Sequence, residues 1–538
     1  MEDSDYIIVG AGSAGCVLAS RLTESGHHRV TVIEAGGSDR RFFVQMPLGY
    51  GKLFYDPAVN WMYSAEPDPG LNGQRDHVPR GKILGGSSSI NAMVFIRGHR
   101  QDYEDWRAAG NPGWGWDDVL PAFKAMEHNE AGADAWRGQG GPLYISRNRK
   151  GLHWLVEDFI AASGEAGLPY NPDFNGAEQE GAGTYQMTIR GRRRNSAARA
   201  FLHPAMRRSN LQVITGAQVT RILFDGHRAT GVEYLRDGQI FTRRARGEVI
   251  LSGGAINSPQ LLQLSGIGSG ALLRGLGLPV LVDNPNVGAH MTDHHGLNYT
   301  WRMKVPTYNN ILRPAWGKAL MGLWWLLLGG GPLAKSINHG GGFFRTRPDH
   351  DRPNMQLYFQ AFSTLLPRAG ERPLLTPDPF PGLSLGLSNC RPTSRGHVQI
   401  TTTDPLAPPE IVANAYSTPE DVEEMLLAVK VLRRIAAQPS FARWVEEELR
   451  PGPEIQSDAA LIDDFRQRSG TVYHPSCTCR MGPEAASAVI DPRLRVHGTE
   501  GLRVIDAASF PNLIAGNTNA PAMMLGWKGA DLVLGDAR

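Results

Sequence analysis

Three observations predict a mixed α/β plus α+β protein. The N-terminus runs from a short apolar strand through a glycine-rich turn into an amphipathic helix, the pattern of a Rossmann-like dinucleotide-binding domain. From about residue 300 to 465, apolar and polar side chains alternate, as strands of a largely antiparallel sheet do when one face is covered. The 538 residues also exceed the roughly 250–300 at which a single hydrophobic core stops growing, so two domains are expected.

In chain order, Tyr6-Ile7-Ile8-Val9 reads as a buried strand. Gly10-Ala11-Gly12-Ser13-Ala14-Gly15 then opens a helix with Ala14, Val17, Leu18 and Leu22 on its apolar face. Glycine is needed there because the backbone turns tightly and approaches a pyrophosphate, whose charge lies on the helix N-terminus. The next strand, Val30-Thr31-Val32-Ile33, ends at Glu34, where a carboxylate accepts both hydroxyls of an adenosine ribose. Together these elements indicate a dinucleotide and leave NAD and FAD both open.

Charge excludes little except a dedicated nucleic-acid binder: 55 basic against 53 acidic residues give a net charge of +2. The four cysteines, Cys16, Cys390, Cys477 and Cys479, fit neither a disulfide framework nor a zinc site. With no legible signal peptide after Val9, a cytoplasmic protein is expected.

A second glycine- and serine-rich stretch, Gly85-Gly86-Ser87-Ser88-Ser89-Ile90-Asn91, leads into Ala92-Met93-Val94-Phe95, and such a long second loop of backbone donors suits a larger cofactor than NAD. Residues 79 to 98, Gly254 to Leu262 with Ser265 to Gly268, and Thr471 to Gly482 follow in order, and Gly516-Asn517-Thr518-Asn519-Ala520-Pro521 closes the series. In these segments the sequence resembles the glucose-methanol-choline (GMC) oxidoreductases, FAD-dependent alcohol oxidases and dehydrogenases. The resemblance implies FAD, bound without a covalent link because Ile90 stands where some relatives carry a flavin-linked histidine. It further implies cofactor contacts from Gly10, Gly12, Ser13, Ala14, Gly15, Glu34, Trp61, Gly85, Gly86, Asn91, Ala92, Met93, Val94, Val219, Tyr473, Asp506, Ala507, Asn517 and Thr518. The catalytic pair is expected at His474 and Asn519.

Oxidation of an alcohol by flavin needs a base for the hydroxyl proton, and a neutral imidazole with an ordinary pKa near ~6.5 accepts it at neutral pH. An asparagine amide cannot be a base, but it donates to the substrate oxygen as that oxygen becomes alkoxide-like. His474 and Asn519 are therefore expected to have unequal roles. The helix beginning near Pro521 should direct its positive N-terminus at the cofactor.

Elsewhere the signals are local. Ser258-Pro259 reads as an N-cap and first helical residue, Asn195-Ser196 as a cap for a helix from Ala197, and Arg192-Arg193-Arg194 as a solvated basic loop. A helix is expected from Thr418-Pro419, with Val422, Met425, Leu426, Val429 and Leu432 on one face. Ala319 to Leu328 is the most apolar stretch but is too short to span a bilayer. It reads as a buried or substrate-entrance helix, and membrane association is the less favoured alternative. Ser476-Cys477 beside His474 departs from the family's usual glycine, and both Cys477 and Cys479 are expected to be buried, inert thiols.

The expected organisation is a discontinuous FAD-binding domain of residues 1–155, 190–300 and 466–538, with a substrate domain of residues 156–189 and 301–465. The expected activity is oxidation of a primary alcohol to an aldehyde, with oxygen or a quinone-type acceptor taking the electrons. A catalytically silent flavin-binding scaffold and an NAD-dependent dehydrogenase are the alternatives, disfavoured by His474 with Asn519 and by the long loop at Gly85 to Asn91 respectively.

Overall fold

The computed structural model describes residues 3–147, 151–365 and 376–537. Five parallel strands form the nucleotide-binding sheet in the order Leu211–Ile214, Val30–Ile33, Ser4–Val9, Gln239–Leu251, Leu502–Val504. All four residues of Val30–Ile33 are buried, as expected of a strand covered on both faces. The long strand Gln239–Leu251 has two roles. Its first half pairs antiparallel with Arg228–Arg236, which continues to Ala217–Asp225, and its second half enters the parallel sheet.

The helix Ser13–Leu22 follows the first strand and buries Ala14, Val17, Leu18 and Leu22 as its periodicity requires. Gly15 permits that packing: a Cβ there would lie 2.0 Å from the Gly10 carbonyl oxygen. The C-terminal helix Asn519–Asp536 packs against the Ser13–Leu22 helix.

The second sheet is antiparallel throughout, in the order Val445–Arg450, His295–Met303, Gly382–Asn389, Met355–Gln360, Gly340–Phe344, Gly181–Thr184, with Gly470–Thr471 beside His295–Met303. The expected domain boundary at residue 300 falls inside the strand His295–Met303. Met355, Leu357 and Phe359 lie in the apolar core, as their alternation predicts. The opposite face is not open to solvent: Gln356 is wholly buried and Tyr358 nearly so, because this face closes over a cavity.

Three local expectations need correction. The helix at the second signature begins at Gly254, not Pro259, because the Asp506 carboxylate accepts the Gly254 N–H at 2.8 Å and caps it from a distant strand end. Ser258 lies inside the helix and donates to the same carboxylate at 2.6 Å. Arg194 is not solvated: it is 1% exposed, and its guanidinium donates to the carbonyls of Val44, Ser88 and Asn91. In the apolar helix Ala315–Leu328, only Gly317, Met321 and Trp325 are buried.

The helix from Pro419 forms as read, whereas the one expected from Ala197 is a short π-helical turn, Ala198–Leu202, beside which Ser196 Oγ accepts the Arg199 N–H. Cys477 and Cys479 are buried free thiols, and burial pushes both pKa values up, as expected for inert sulfur. No helix among the described residues is long and apolar enough to cross a membrane.

The Gly15 contact gives a direct test of the strand–turn–helix packing. Gly15→Ala forces the first helix away from the Gly10 turn, and overpacking of this kind costs about 1–3 kcal/mol. The expected result is a lower midpoint of thermal unfolding together with reduced flavin content after purification.

Candidate active site

One cavity of about 850 Å³ runs between the two sheets, from Gly10, Glu34 and Val219 at one end to His474, Asn517 and Tyr358 at the other. Its walls include Gly10, Gly12, Ser13, Ala14, Glu34, Trp61, Gly86, Asn91, Ala92, Met93, Val94, Val219, Tyr473, His474, Asp506, Ala507, Asn517, Thr518 and Asn519. Gly15 and Gly85 are not in the lining. Gly15 serves the helix packing described above, and Gly85, at φ +88°, donates its N–H to the Ala11 carbonyl and turns the second loop toward the first.

The glycine loops meet at Gly86, where a Cβ would lie 2.8 Å from Gly12 Cα. Two helix N-termini open onto this point, those of Ser13–Leu22 and Asn519–Asp536, and neither has a side-chain cap. Uncapped N–H groups and a positive helix end suit a pyrophosphate. Glu34 accepts the N–H groups of Ala11 and Gly36, both at 2.8 Å, so its carboxylate is fixed in the cavity wall. Burial raises its pKa to about 7. A long dinucleotide fits this donor set: glycine backbone and helix ends for the phosphates, Glu34 for a ribose, and the remaining length of the cavity for a ring system beside His474.

At the far end, a chain of hydrogen bonds decides which nitrogen of His474 is free. His294 Nε2 lies 2.9 Å from the Cys390 carbonyl oxygen, which can only accept, so His294 carries its proton on Nε2. Neutral His294 then offers Nδ1 as an acceptor. His474 Nδ1, 3.0 Å away, must be the donor, which leaves His474 Nε2 as the unprotonated, accepting nitrogen. From the other side, Gln356 Nε2 donates to Asn517 Oδ1 at 3.2 Å, which turns the Asn517 amide nitrogen toward His474 Nε2, also at 3.2 Å. Both ends of the relay therefore require the same tautomer.

Electrostatics keeps this pair neutral. Burial pushes His294 down to about 4, and it pushes His474 well below the usual histidine range, with His294 and Arg80 adding to the effect. Arg80 is itself buried, lowered to about 10, and donates to the carbonyls of Pro79 and Tyr473. Asp293 anchors the backbone by accepting the His474 N–H at 2.8 Å. Tyr473, just before the histidine, is held at φ +74°, a conformation that non-glycine residues adopt only when their surroundings impose it.

The expected pairing of His474 with Asn519 is not what the fold builds. Asn519 is the first residue of the C-terminal helix, and its Oδ1 accepts the Ser13 hydroxyl at 2.8 Å, tying the two helix N-termini together. Asn517 precedes the helix and faces His474. Residues that the sequence reading missed are His294, Gln356, Tyr358, Arg80 and Arg194. The first signal of their role was available: polar Gln356 and Tyr358 alternate with core residues in a strand, so the polar face had to meet something other than the core.

Fold and site thus define a dinucleotide-binding protein with a buried histidine at the end of the cavity away from the glycine loops. Family models for GMC oxidoreductases match residues 4–296, the N-terminal portion, and 392–526, the C-terminal portion. The chain belongs to the GMC oxidoreductase family, and with it to the FAD-dependent enzymes acting on CH–OH donors. It is 41% identical over 535 residues to an alcohol dehydrogenase [acceptor] of Pseudomonas putida, covering 98% of this chain and 95% of that one. It is also 41% identical to human mitochondrial choline dehydrogenase, covering 99% of this chain and 90% of the relative. Among solved structures, pyridoxine 4-oxidase from Mesorbium loti superposes with a TM-score of 0.88 at 30% identity, covering 98% of this chain and 99% of that one.

The His294 relay predicts a pH signature. An unfolded histidine titrates near ~6.5, whereas folded His294 stays neutral down to about 4. The unfolded chain therefore binds the extra proton, so the stability contributed by neutral His294 is complete above the unfolded pKa and is lost as pH falls. His294→Gln removes one titrating group, worth about 1.4 kcal/mol per pH unit in that window. Denaturant unfolding between pH 6.5 and 4 should therefore show a shallower acid loss in the variant.

Proposed function

We propose that the protein oxidises a primary alcohol to the aldehyde, with His474 Nε2 taking the hydroxyl proton and Asn517 Nδ2 holding the oxygen. The observation that carries this reading is the tautomer relay from the Cys390 carbonyl to Asn517, which presents an unprotonated, neutral imidazole nitrogen beside an amide donor at one end of the cavity. A substrate hydroxyl that replaces the direct Asn517–His474 bond donates to Nε2 and accepts from Nδ2, and the second bond strengthens as negative charge grows on oxygen. Bound FAD supplies the hydride acceptor. The same cavity is lined by apolar Leu297, Phe362 and Leu387 and by polar Asn298, Gln360 and Ser384, which suits an alcohol carrying both apolar and polar groups.

Holding the cofactor falls to the glycine loops, both helix N-termini and Glu34. Ile90 lines the same cavity and has no atom able to bond covalently to a flavin, which supports dissociable FAD. Oxygen or a quinone-type acceptor removes the electrons afterwards. An alcohol panel with oxygen and an artificial dye as alternative acceptors, reading peroxide alongside, tests both substrate and acceptor.

In anaerobic stopped flow, His474→Ala should retain FAD and slow flavin reduction by the alcohol about 10²- to 10⁴-fold. Asn517→Ala should slow the same step about 10²- to 10³-fold, the typical loss for one preorganised donor. Asn519→Ala should leave that step far less affected and should instead weaken flavin retention; the reverse ranking would return the oxygen-holding role to Asn519. Acid precipitation should release yellow cofactor into the supernatant, and colour remaining in the protein pellet would show a covalent link.

A further inference from the structure

The helix Ala315–Leu328 is an apolar element on the surface. Trp316, Leu320, Leu323, Trp324, Leu326, Leu327 and Leu328 are exposed, Leu327 at 70% and Leu328 at 79%. They make up half of the large hydrophobic residues exposed anywhere among the described residues. Lys318 is the helix's one charged side chain. The patch extends beyond the helix, because exposed Phe42 packs edge-on against Trp325 and against Phe43. Isolated exposed apolar residues are ordinary, but a contiguous patch of this kind marks a surface that meets an apolar phase.

The charge of the segments that build it is one-sided although the whole chain is nearly neutral. Three segments converge here: the helix's own stretch, the Phe42–Gln45 turn, and the loop carrying Arg192, which donates to the carbonyls of Trp325 and Leu326 at the helix C-terminus. The sequence has no carboxylate between Asp293 and Asp349, between Asp39 and Asp56, or between Glu180 and Asp225. It has Arg40, Arg41 and Lys52 beside the two phenylalanines, Lys52 lying over the Phe43 ring at 4.2 Å, and Arg190 and Arg193 flanking Arg192. An aromatic- and leucine-rich face whose three contributing segments carry cations and no carboxylate matches an interface whose surface charge is negative and whose interior is hydrocarbon.

We propose that the Ala315–Leu328 helix and the Phe42–Phe43 turn dock this protein on the surface of a bilayer containing anionic lipid. Apolar side chains enter the boundary between headgroups and acyl chains, tryptophans lie at headgroup depth, and the surrounding arginines and lysines meet the lipid phosphates. Nothing crosses the membrane. The chain leaving the helix runs through Pro332–Ala334, where Leu333 and Ala334 pack on Trp325, and reaches Ile337 and Asn338 in the cavity wall. A docked molecule therefore holds one wall of its cavity close to the lipid, where apolar alcohols and quinone-type acceptors concentrate. The docking itself does not depend on the chemistry proposed for His474.

The test is flotation of the FAD-loaded full-length protein with phosphatidylcholine vesicles, with and without about one-third phosphatidylglycerol, followed by size-exclusion chromatography with light scattering. The expected result is co-flotation with the anionic vesicles, weakened by salt, and much weaker binding to phosphatidylcholine alone. The double variant L323E/L327E, which alters only exposed positions, should lose about tenfold or more in partitioning while keeping its flavin spectrum and turnover of water-soluble alcohol. Failure to float with anionic vesicles overturns the proposal, and so does equal binding by wild type and variant or equal binding to neutral lipid. A wild-type dimer that the double substitution converts to monomer overturns it as well, because a second copy then covers this face.

Discussion

The active end of this molecule depends on a single buried hydrogen-bond direction. A backbone carbonyl, that of Cys390, cannot donate, and this sets His294, which sets His474, which leaves its Nε2 as the acceptor that meets the Asn517 amide at the cavity. Every group in the relay comes from a different part of the chain. His294 immediately precedes a strand of the antiparallel sheet, Cys390 follows another, Gln356 lies in a third, and Asn517 stands at the threshold of the C-terminal helix. The chemistry of His474 therefore belongs to the junction of the two sheets, and neither sheet alone fixes it. Because His294 and Gln356 are buried, either of them left unpaired would cost the desolvation penalty of its polar atoms.

Buried cations next to the cavity follow the same logic. Arg80 and Arg194 are bonded to backbone carbonyls, and among the described residues no carboxylate hydrogen-bonds either of them. Burial has lowered both, Arg80 to about 10 and Arg194 to about 9. Arg80 has the Asp293 carboxylate nearby, whereas Arg194 is held by carbonyls alone, and such a buried guanidinium is costly; its place beside the second glycine loop suits a protein whose ligand brings negative charge. Arg194 also holds the Asn91 side chain, so the second glycine loop is braced from behind by a residue 103 positions away.

Much of the nucleotide-binding half was legible because its signals are local. A strand that must be apolar on both faces, glycines where a Cβ would strike backbone, and an acid at the next strand end are each dictated within a few residues. Where a distant partner supplies the decisive atom, local reasoning failed. Ser258 looked like a cap until Asp506, some 250 positions on, took that place. Arg194 looked solvated because three arginines in a row usually are, yet the loop folds its third member inward. Asn519 and Asn517 are both polar and both precede or begin a helix. Which one faces His474 is set by the helix start, which turns Asn519 toward Ser13.

By itself, then, the sequence determined the dinucleotide-binding start, the alternating sheet and the presence of His474 in a family-like segment, because periodicity and glycine sterics act over a few residues. Tertiary structure alone decided the tautomer of His474, the choice of Asn517 as its neighbour and the surface placement of the Ala315–Leu328 helix. Those outcomes rest on which atoms meet across the junction of the two sheets, and on which apolar face finds no partner in the fold. A one-dimensional pattern of hydrophobic and polar residues contains neither piece of information.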